Sequence, residues 1–312
     1  MALDLFFMLV FPGFLFLGIF ALAMEFVDRR VYARVQHRQG PPWFQPLADL
    51  IKLSAKQDLL PAEADKTMYK FVPLVAMAAV VTAFFYIPIW GYNALLSFDG
   101  DLIVVIYLLS IPTMAIFLSG WYSRSVFSMI GAVRAITQVF AYEVPLMLAL
   151  IAPAILADSW NLSKIAEFYD QTPWLAAINT VGFLVALVAV LGKMEKVPFD
   201  IPEAETEIVA GAFTEYSGRL LAMFRLALHM EAVVAAALLA AVFLPFGLGL
   251  PAPAAFGLFL LKVVLIVVIL AVLRGLFARL RIDQMISFCW KIAAPIAFAQ
   301  VVVCLVVKGL MH

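Results

Sequence analysis

Residues 5–30 read LFFMLVFPGFLFLGIFALAMEFVDRR. An uncharged run from Leu5 to Met24 comes first, and acids and arginines follow at once. A helix of about 20 residues rises ~30 Å, which matches the hydrocarbon core of a bilayer. A cleaved leader would start basic and end in small residues. This run follows Asp4 and ends in MEFVDRR, so it reads as a retained membrane span.

The rest of the chain repeats the pattern. Of 312 residues, 65% are hydrophobic and 13% charged, too few polar groups to cover a soluble domain of this size. Apolar runs predict about eight transmembrane helices, near 5–24, 71–90, 102–121, 137–157, 174–192, 222–244, 256–273 and 290–310. Residues 1–312 therefore form a single membrane domain in an all-α integral membrane protein. Lys and Arg (21 together) balance Asp and Glu (also 21), so no field favours nucleic acid. Cys289 and Cys304 form no C-x-x-C pair, and His37, His229 and His312 are scattered. Haem, zinc or iron–sulfur ligation by this chain alone is not expected.

Basic residues set the orientation. Arg29 to Lys70, Arg124, Arg134, Lys193, Lys196, Arg219, Arg274, Arg279 and Arg281 all follow odd-numbered spans. The connections 91–101, 158–173 and 245–255 hold Lys164 alone. By the positive-inside rule, the basic loops face the cytoplasm and both termini lie outside.

Within this frame, charge concentrates in a few places. After the first span, Arg30, Arg34 and Arg38 recur at helical spacing beside Arg29 and read as a basic helical face or as interfacial anchors. GPP (40–42) then stops that helix, and QPLADLIKLSAK (45–56) predicts an amphipathic helix on the membrane or under a partner. In RAITQVFAYEVPL (134–146), Glu143 falls about two turns inside the fourth predicted span. A buried charge there costs at least ~2.5–3.5 kcal/mol, so it marks an ion path or a hydrogen bond between helices. Arg225, His229 and Glu231 interrupt the sixth span and Lys262 the seventh, and Lys262 is a candidate partner for Glu231 or Glu143.

The stretch VPFDIPEAETEIVAGAFTEYSG (197–218) holds Asp200, Glu203, Glu205, Glu207 and Glu215 with no Lys or Arg. Asp200 as N-cap, Pro202 in the first turn and Glu203 at N3 fit a capped helix start. Continued as a helix, Asp200, Glu203 and Glu207 share a face, with Glu215 roughly 80° round from it. That places a ladder of acids between the loop and the membrane.

DRRVYARVQHRQGP, QPLADLIKL, AYEVPL, the 197–218 stretch and RIDQMISFCWK, in this order, resemble one family. It is that of the H-type membrane subunit of proton-pumping NADH:quinone oxidoreductase (respiratory complex I). Its homologues occur in membrane-bound [NiFe] hydrogenases, formate hydrogenlyases and sulfane-sulfur reductases. The match covers nearly the whole chain, and PFD-x-x-EAE followed by EYSG is its most specific part. The resemblance implies a subunit without a redox centre that anchors a peripheral arm to the membrane and couples its chemistry to proton or sodium movement. The pathway would comprise Glu143, Asp200, Glu203, Glu205, Glu207 and Glu215, with Glu231 and Lys262 inside the bilayer. Arg29, Arg30, Arg34, Arg38, Arg134 and Asp283 would face partners or a quinone-type cavity. Partners implied are a hydrogenase-like large subunit with a [NiFe] centre, an iron–sulfur small subunit with [4Fe-4S] clusters, and antiporter-like membrane subunits. The short GPPWFQPLAD connection and Leu228, at a position where quinone-reducing members carry an acid, favour the hydrogenase branch. A quinone-site subunit is the alternative.

Overall fold

A computed structural model of the chain describes residues 2–203 and 205–311, and the side chains of all of these except 2–5, 205 and 206. Fourteen α-helices appear among them. In chain order they are α1 Ala2–Leu9, α2 Phe14–Val35, α3 Gln45–Ser54, α4 Lys66–Phe84, α5 Asp101–Tyr122, α6 Val126–Leu156 and α7 Leu162–Gln171. There follow α8 Pro173–Ile178, α9 Thr180–Lys193, α10 Glu205–Ile208, α11 Gly218–Phe243, α12 Ala252–Leu276, α13 Ile282–Phe288 and α14 Ala294–Met311. A 3₁₀ turn at Gly211–Phe213 precedes α11, and a π turn at Cys289–Ala293 joins α13 to α14.

Among the described residues, seven helical segments are long and apolar enough to cross a membrane. The fifth predicted span, 174–192, is split. Asn179 ends α8, and its side chain donates to Tyr169 Oη (2.8 Å) and accepts from Cys304 Sγ (3.3 Å). That leaves α9 with 14 residues, about 21 Å of helix. A polar side chain already bonded sideways to its neighbours makes the break tolerable within the bundle. The predicted span 71–90 ends early, at Phe84, because residues 85–100 turn over the end of the bundle.

Local chemistry sets several boundaries. Asp65 caps α4, accepting from the backbone N–H groups of Thr67 and Met68 at 3.0 and 3.2 Å. Asn161 caps α7 in the same way. A Cβ at Gly13 would lie 1.9 Å from the Met8 carbonyl oxygen, so the tight passage from α1 to α2 requires glycine.

At the centre stands α11, whose run from Val233 to Phe243 is buried without interruption. Its alanines let α2, α4, α9 and α12 approach closely, as small residues do between membrane helices. On the other side α6 packs against α5, α9 and α14. The connections gather at two opposite ends. At one end, Arg219 pairs with Asp58, and Leu280 N–H donates to the Pro198 carbonyl. At the other, Asp170 accepts from Tyr92 and Gly247, and Asp101 from the Leu162 N–H. The basic connections thus share one end and the acidic ones the other, as the charge pattern predicted.

Candidate functional site: a charged cavity at the basic end of the bundle

The 197–218 stretch does not form the predicted capped helix. Asp200 does not start a helix, because Ile201 N–H donates to the Phe199 carbonyl and the next described helix begins at Glu205. That helix, α10, lasts four residues. Val209 (φ 64°) and Gly211 (φ 54°) then take left-handed backbone and end it. A Cβ at Gly211 would sit 1.9 Å from the Pro202 carbonyl oxygen, so the segment folds back on itself there. The acids therefore cannot share a helical face, and they part company. Asp200 and Glu203 turn into the protein. Glu207 turns out, where Arg134 Nη1 (2.6 Å) and Arg279 Nη2 (3.4 Å) hold it. The Arg134 hydrogen bond and the Arg279 charge keep its carboxyl below the ordinary carboxylate range. Glu215 lies beside the stacked rings of Tyr69 and Tyr216, whose centroids are 3.9 Å apart. The side chain of Glu205 lies outside the described residues.

Asp200 and Glu203 line a cavity of about 300 Å³ with Glu25, Arg29, Glu195, Lys196, Arg225, Leu228, His229, Glu231 and Arg274. A second space of about 280 Å³ shares Arg29, Arg225 and His229 and runs beneath α3, lined by Leu22, Pro46, Asp49, Leu50, Lys52 and Leu53. Four helices and one loop supply the walls. Helix α2 contributes Glu25, Asp28 and Arg29, spaced so that all three reach inward. Arg225 and His229 sit one turn apart on α11, as predicted, with Glu231 deeper. Gln138 of α6 donates to the carbonyls of Gly192 (2.6 Å) and Phe199 (2.9 Å), which fixes Lys193 at the end of α9 and the loop carrying Glu195 and Lys196.

Paired charges make up most of the walls. Asp28 Oδ2 accepts from Lys196 Nζ and Arg274 Nη1, both at 2.9 Å. Glu25 meets Arg29 (2.7 Å), His229 Nδ1 (3.2 Å) and Lys196 (3.7 Å). Arg29 also reaches Asp49 on α3 (2.8 Å), and Arg225 reaches Glu203 (2.8 Å). Burial would raise the Asp49 carboxyl, but hydrogen bonds from Arg29 and Gln45 outweigh it and hold the group below its ordinary value. Glu195 behaves oppositely. It is buried, and the nearby charges of Glu203, Glu231 and Asp200 add to that burial, so its carboxyl is pushed well above the ordinary range. Deeper still, Lys193 Nζ lies 3.4 Å from Glu231, with both side chains almost fully buried. Tyr142 stands beside Lys193, and Glu143, next in sequence, accepts a hydrogen bond from Ser110 of α5. Of the two alternatives at Glu143, an ion path or a hydrogen bond between helices, the hydrogen bond is present.

Other predicted residues fall elsewhere. Lys262 pairs with neither Glu231 nor Glu143. It lies toward the opposite end, over the Phe246 ring (4.4 Å) and donating to the Phe246 carbonyl, because α12 carries it one way along the bundle and α11 carries Glu231 the other. Arg30 and Arg34 are exposed on α2, but that helix ends at Val35, so Arg38 lies beyond it and the basic face is shorter than predicted. Arg134 and Asp283 border a separate surface space of about 390 Å³ with Arg279 and Arg281. Sequence reasoning missed Glu25, Asp28, Lys193, Glu195 and Lys196 as site residues. Their signal was the mixing of both signs at a membrane boundary, in EFVDRR and KMEK, where simple anchors need only positive charge. No group of three or more His, Cys, Asp or Glu side chains suited to a metal occurs among the described residues.

The chain is thus a polytopic helical bundle with an ionic cavity of about 300 Å³ at its basic end. Comparisons specify it further. Residues 7–305 match the family model described as NADH dehydrogenase. The H-type membrane subunit of NADH-quinone oxidoreductase from Dehalococcoides mccartyi (strain CBDB1) is 33% identical over 303 residues, covering 95% of this chain and 84% of that one. NADH-quinone oxidoreductase subunit 8 of Thermus thermophilus is 34% identical over 301 residues, covering 92% and 82%. A chain in the structure of the membrane-bound sulfane sulfur reductase, an archaeal respiratory membrane complex, superposes with a TM-score of 0.83 at 27% identity, covering 93% of this chain and 96% of that one. The chain belongs to the family of H-type membrane subunits of NADH dehydrogenase-type respiratory complexes.

Proposed function

We propose that this chain is the membrane-anchor and ion-coupling subunit of an energy-converting, [NiFe]-hydrogenase-type respiratory complex in the cytoplasmic membrane. Its basic end faces the cytoplasm and a peripheral arm. A hydrogenase-like large subunit with the [NiFe] centre and a small subunit with [4Fe-4S] clusters dock over the cavity, and antiporter-like subunits continue the membrane arm. One observation carries this reading. Carboxylates within electrostatic reach of one another run from Glu203 and Asp200 through Glu195 and Glu231 to Glu143, from the cavity into the bilayer. A change of charge at a redox centre above the cavity alters the cost of charge on Asp200, Glu203 and Glu195, and each carboxylate passes the change to the next. The likeness to the sulfane sulfur reductase chain supports the hydrogenase-type branch.

The test is Glu143→Gln in the whole complex, assayed in sealed inverted vesicles. Redox turnover without ion uptake is expected, and unaltered uptake defeats the proposal. A second reading, a quinone-site subunit, draws on the apolar flank of the space under α3 and on the NADH-quinone oxidoreductase relatives. Co-purifying subunits separate the two readings. A large subunit with two C-x-x-C pairs suited to nickel favours the first.

A further inference from the structure

Lys193 is a lysine in an acid pathway. It is the last residue of α9, and its side chain is 2% exposed. A lone ammonium at such a depth is costly, and its counter-charge, Glu231, is as deeply buried. Glu231 forms part of the cavity wall, whereas Lys193 lies behind that wall. On the far side of Lys193 the Tyr142 ring stands 5.6 Å from Nζ. The Tyr142 hydroxyl is held by Thr113 (3.2 Å), and Glu143 follows it on α6. The order inward is therefore cavity, Glu231, Lys193, Tyr142, Glu143. A positive charge interrupts the row of acids.

The contact with Glu231 is loose. At 3.4 Å it is longer than the 2.9 Å ion pairs that Asp28 makes with Lys196 and Arg274. Lysine brings a point charge on a four-carbon stem, able to leave one partner for another, unlike a bidentate guanidinium. The other acid lies on the Tyr142 side: the Tyr142 ring is 5.6 Å from Nζ, and Glu143 is the next residue on α6. The remaining ionisable groups around the pair are Glu195 on the loop after α9 and Tyr142 on α6.

We propose that Lys193 is the charge gate of the pathway, its ammonium exchanging between Glu231 and Glu143. With Lys193 on Glu231, Glu231 is ionised and Glu143 carries a proton. When the ammonium swings to Glu143, that proton leaves toward the membrane arm, and Glu231, now without its counter-ion, takes a proton from the cavity. The three groups hold one transferable proton and zero net charge in either position. Lys193 keeps its own proton throughout. One swing thus takes up one proton at the cavity and releases one beyond Glu143. On the return swing the proton on Glu231 passes to Glu143, so the two acids exchange a proton only when the ammonium moves back between them.

This inference rests on the ion-coupling reading above, and one experiment separates the two. The whole complex is reconstituted in proteoliposomes with four versions of this subunit: wild type, Glu143→Gln, Lys193→Met, and Lys193→Met with Glu231→Leu. Electron transfer and internal pH are recorded together. Protons moved per electron should fall at least tenfold with Lys193→Met. They should stay low in the double variant, which removes both buried charges and so restores a well-packed interior. If the single variant fails to assemble, Lys193→Arg decides in its place. It keeps the charge but replaces the mobile ammonium with a guanidinium fork, and should still lower protons moved per electron, whereas the wild-type ratio overturns the gate. Coupling at the wild-type ratio in the double variant, with Glu143→Gln uncoupled, overturns the gate and leaves the ion-coupling reading standing. Unaltered coupling in Glu143→Gln as well defeats both.

Discussion

Lys193 and Glu231 are worth little to stability as a pair and a great deal as two singles. Removing one strands the other in the bundle, at a cost of ~3–5 kcal/mol, while replacing both with apolar groups is close to neutral. Lys193→Met should therefore lower the thermal unfolding temperature of the purified complex sharply, and adding Glu231→Leu should recover most of the loss. Glu195 makes a prediction with the opposite logic. Its carboxyl is raised well above the unfolded value of 4.5, so the native state holds a proton that the unfolded state has released. The native chain therefore binds more protons in the window above pH 4.5, and stability falls as pH rises through that window toward the folded value. Glu195→Gln removes the penalty, so its advantage in unfolding temperature over wild type should grow with pH above 4.5. A constant difference counts against a buried, protonated Glu195. The sequence showed Glu143 and Glu231 plainly, because an acid in an apolar run stands out. It did not show Glu195 or Lys193, because charges at the end of a span look like interfacial anchors until their burial is known.

Helix boundaries were legible where apolar length or an amphipathic pattern set them, as at α3 and α5. They were not legible at 197–218, where backbone geometry overrode a good local helix-start pattern. Tertiary contact explains why the turn is kept. Gly131 on α6 packs so closely on the 3₁₀ turn that a Cβ would lie 2.5 Å from Ala212 N and 2.6 Å from Gly211 Cα. Gly131→Ala should push the 211–213 turn off α6 at a cost of about 1–3 kcal/mol, and should disturb the cavity acids on the same loop. Faster hydrogen exchange across 200–216 would register it. Helix α3 is held differently, by the Arg29–Asp49 pair, with Gln45 of the same helix donating to Asp49. Because that pair is partly exposed, Asp49→Ala should cost only about 1 kcal/mol. It should raise exchange in 45–54 while the spans stay protected. Unchanged exchange there would mean that packing alone seats α3.

Across the molecule, the separation of basic and acidic ends was foreseeable from the sequence, since it follows from counting charge along the chain. The joining of α2 to α11 and α12 was not, since helices remote in sequence meet only in the folded bundle. That joining bears on how the chain is made. Glu25 and Asp28 are delivered on the first long apolar segment, but their counter-charges Lys196, His229 and Arg274 are translated far later. During synthesis the two carboxylates wait with only the arginines that follow them in the chain, Arg29 and Arg30 first, as nearby counter-charges. Chains that stop before residue 196 should therefore be short-lived in cells, degraded by membrane proteases in pulse–chase experiments. Glu25→Gln together with Asp28→Asn should lengthen the half-life of such truncated chains while weakening the full-length protein. The same carboxylates that knit the finished bundle would thus serve, in the nascent one, as a mark of incompleteness.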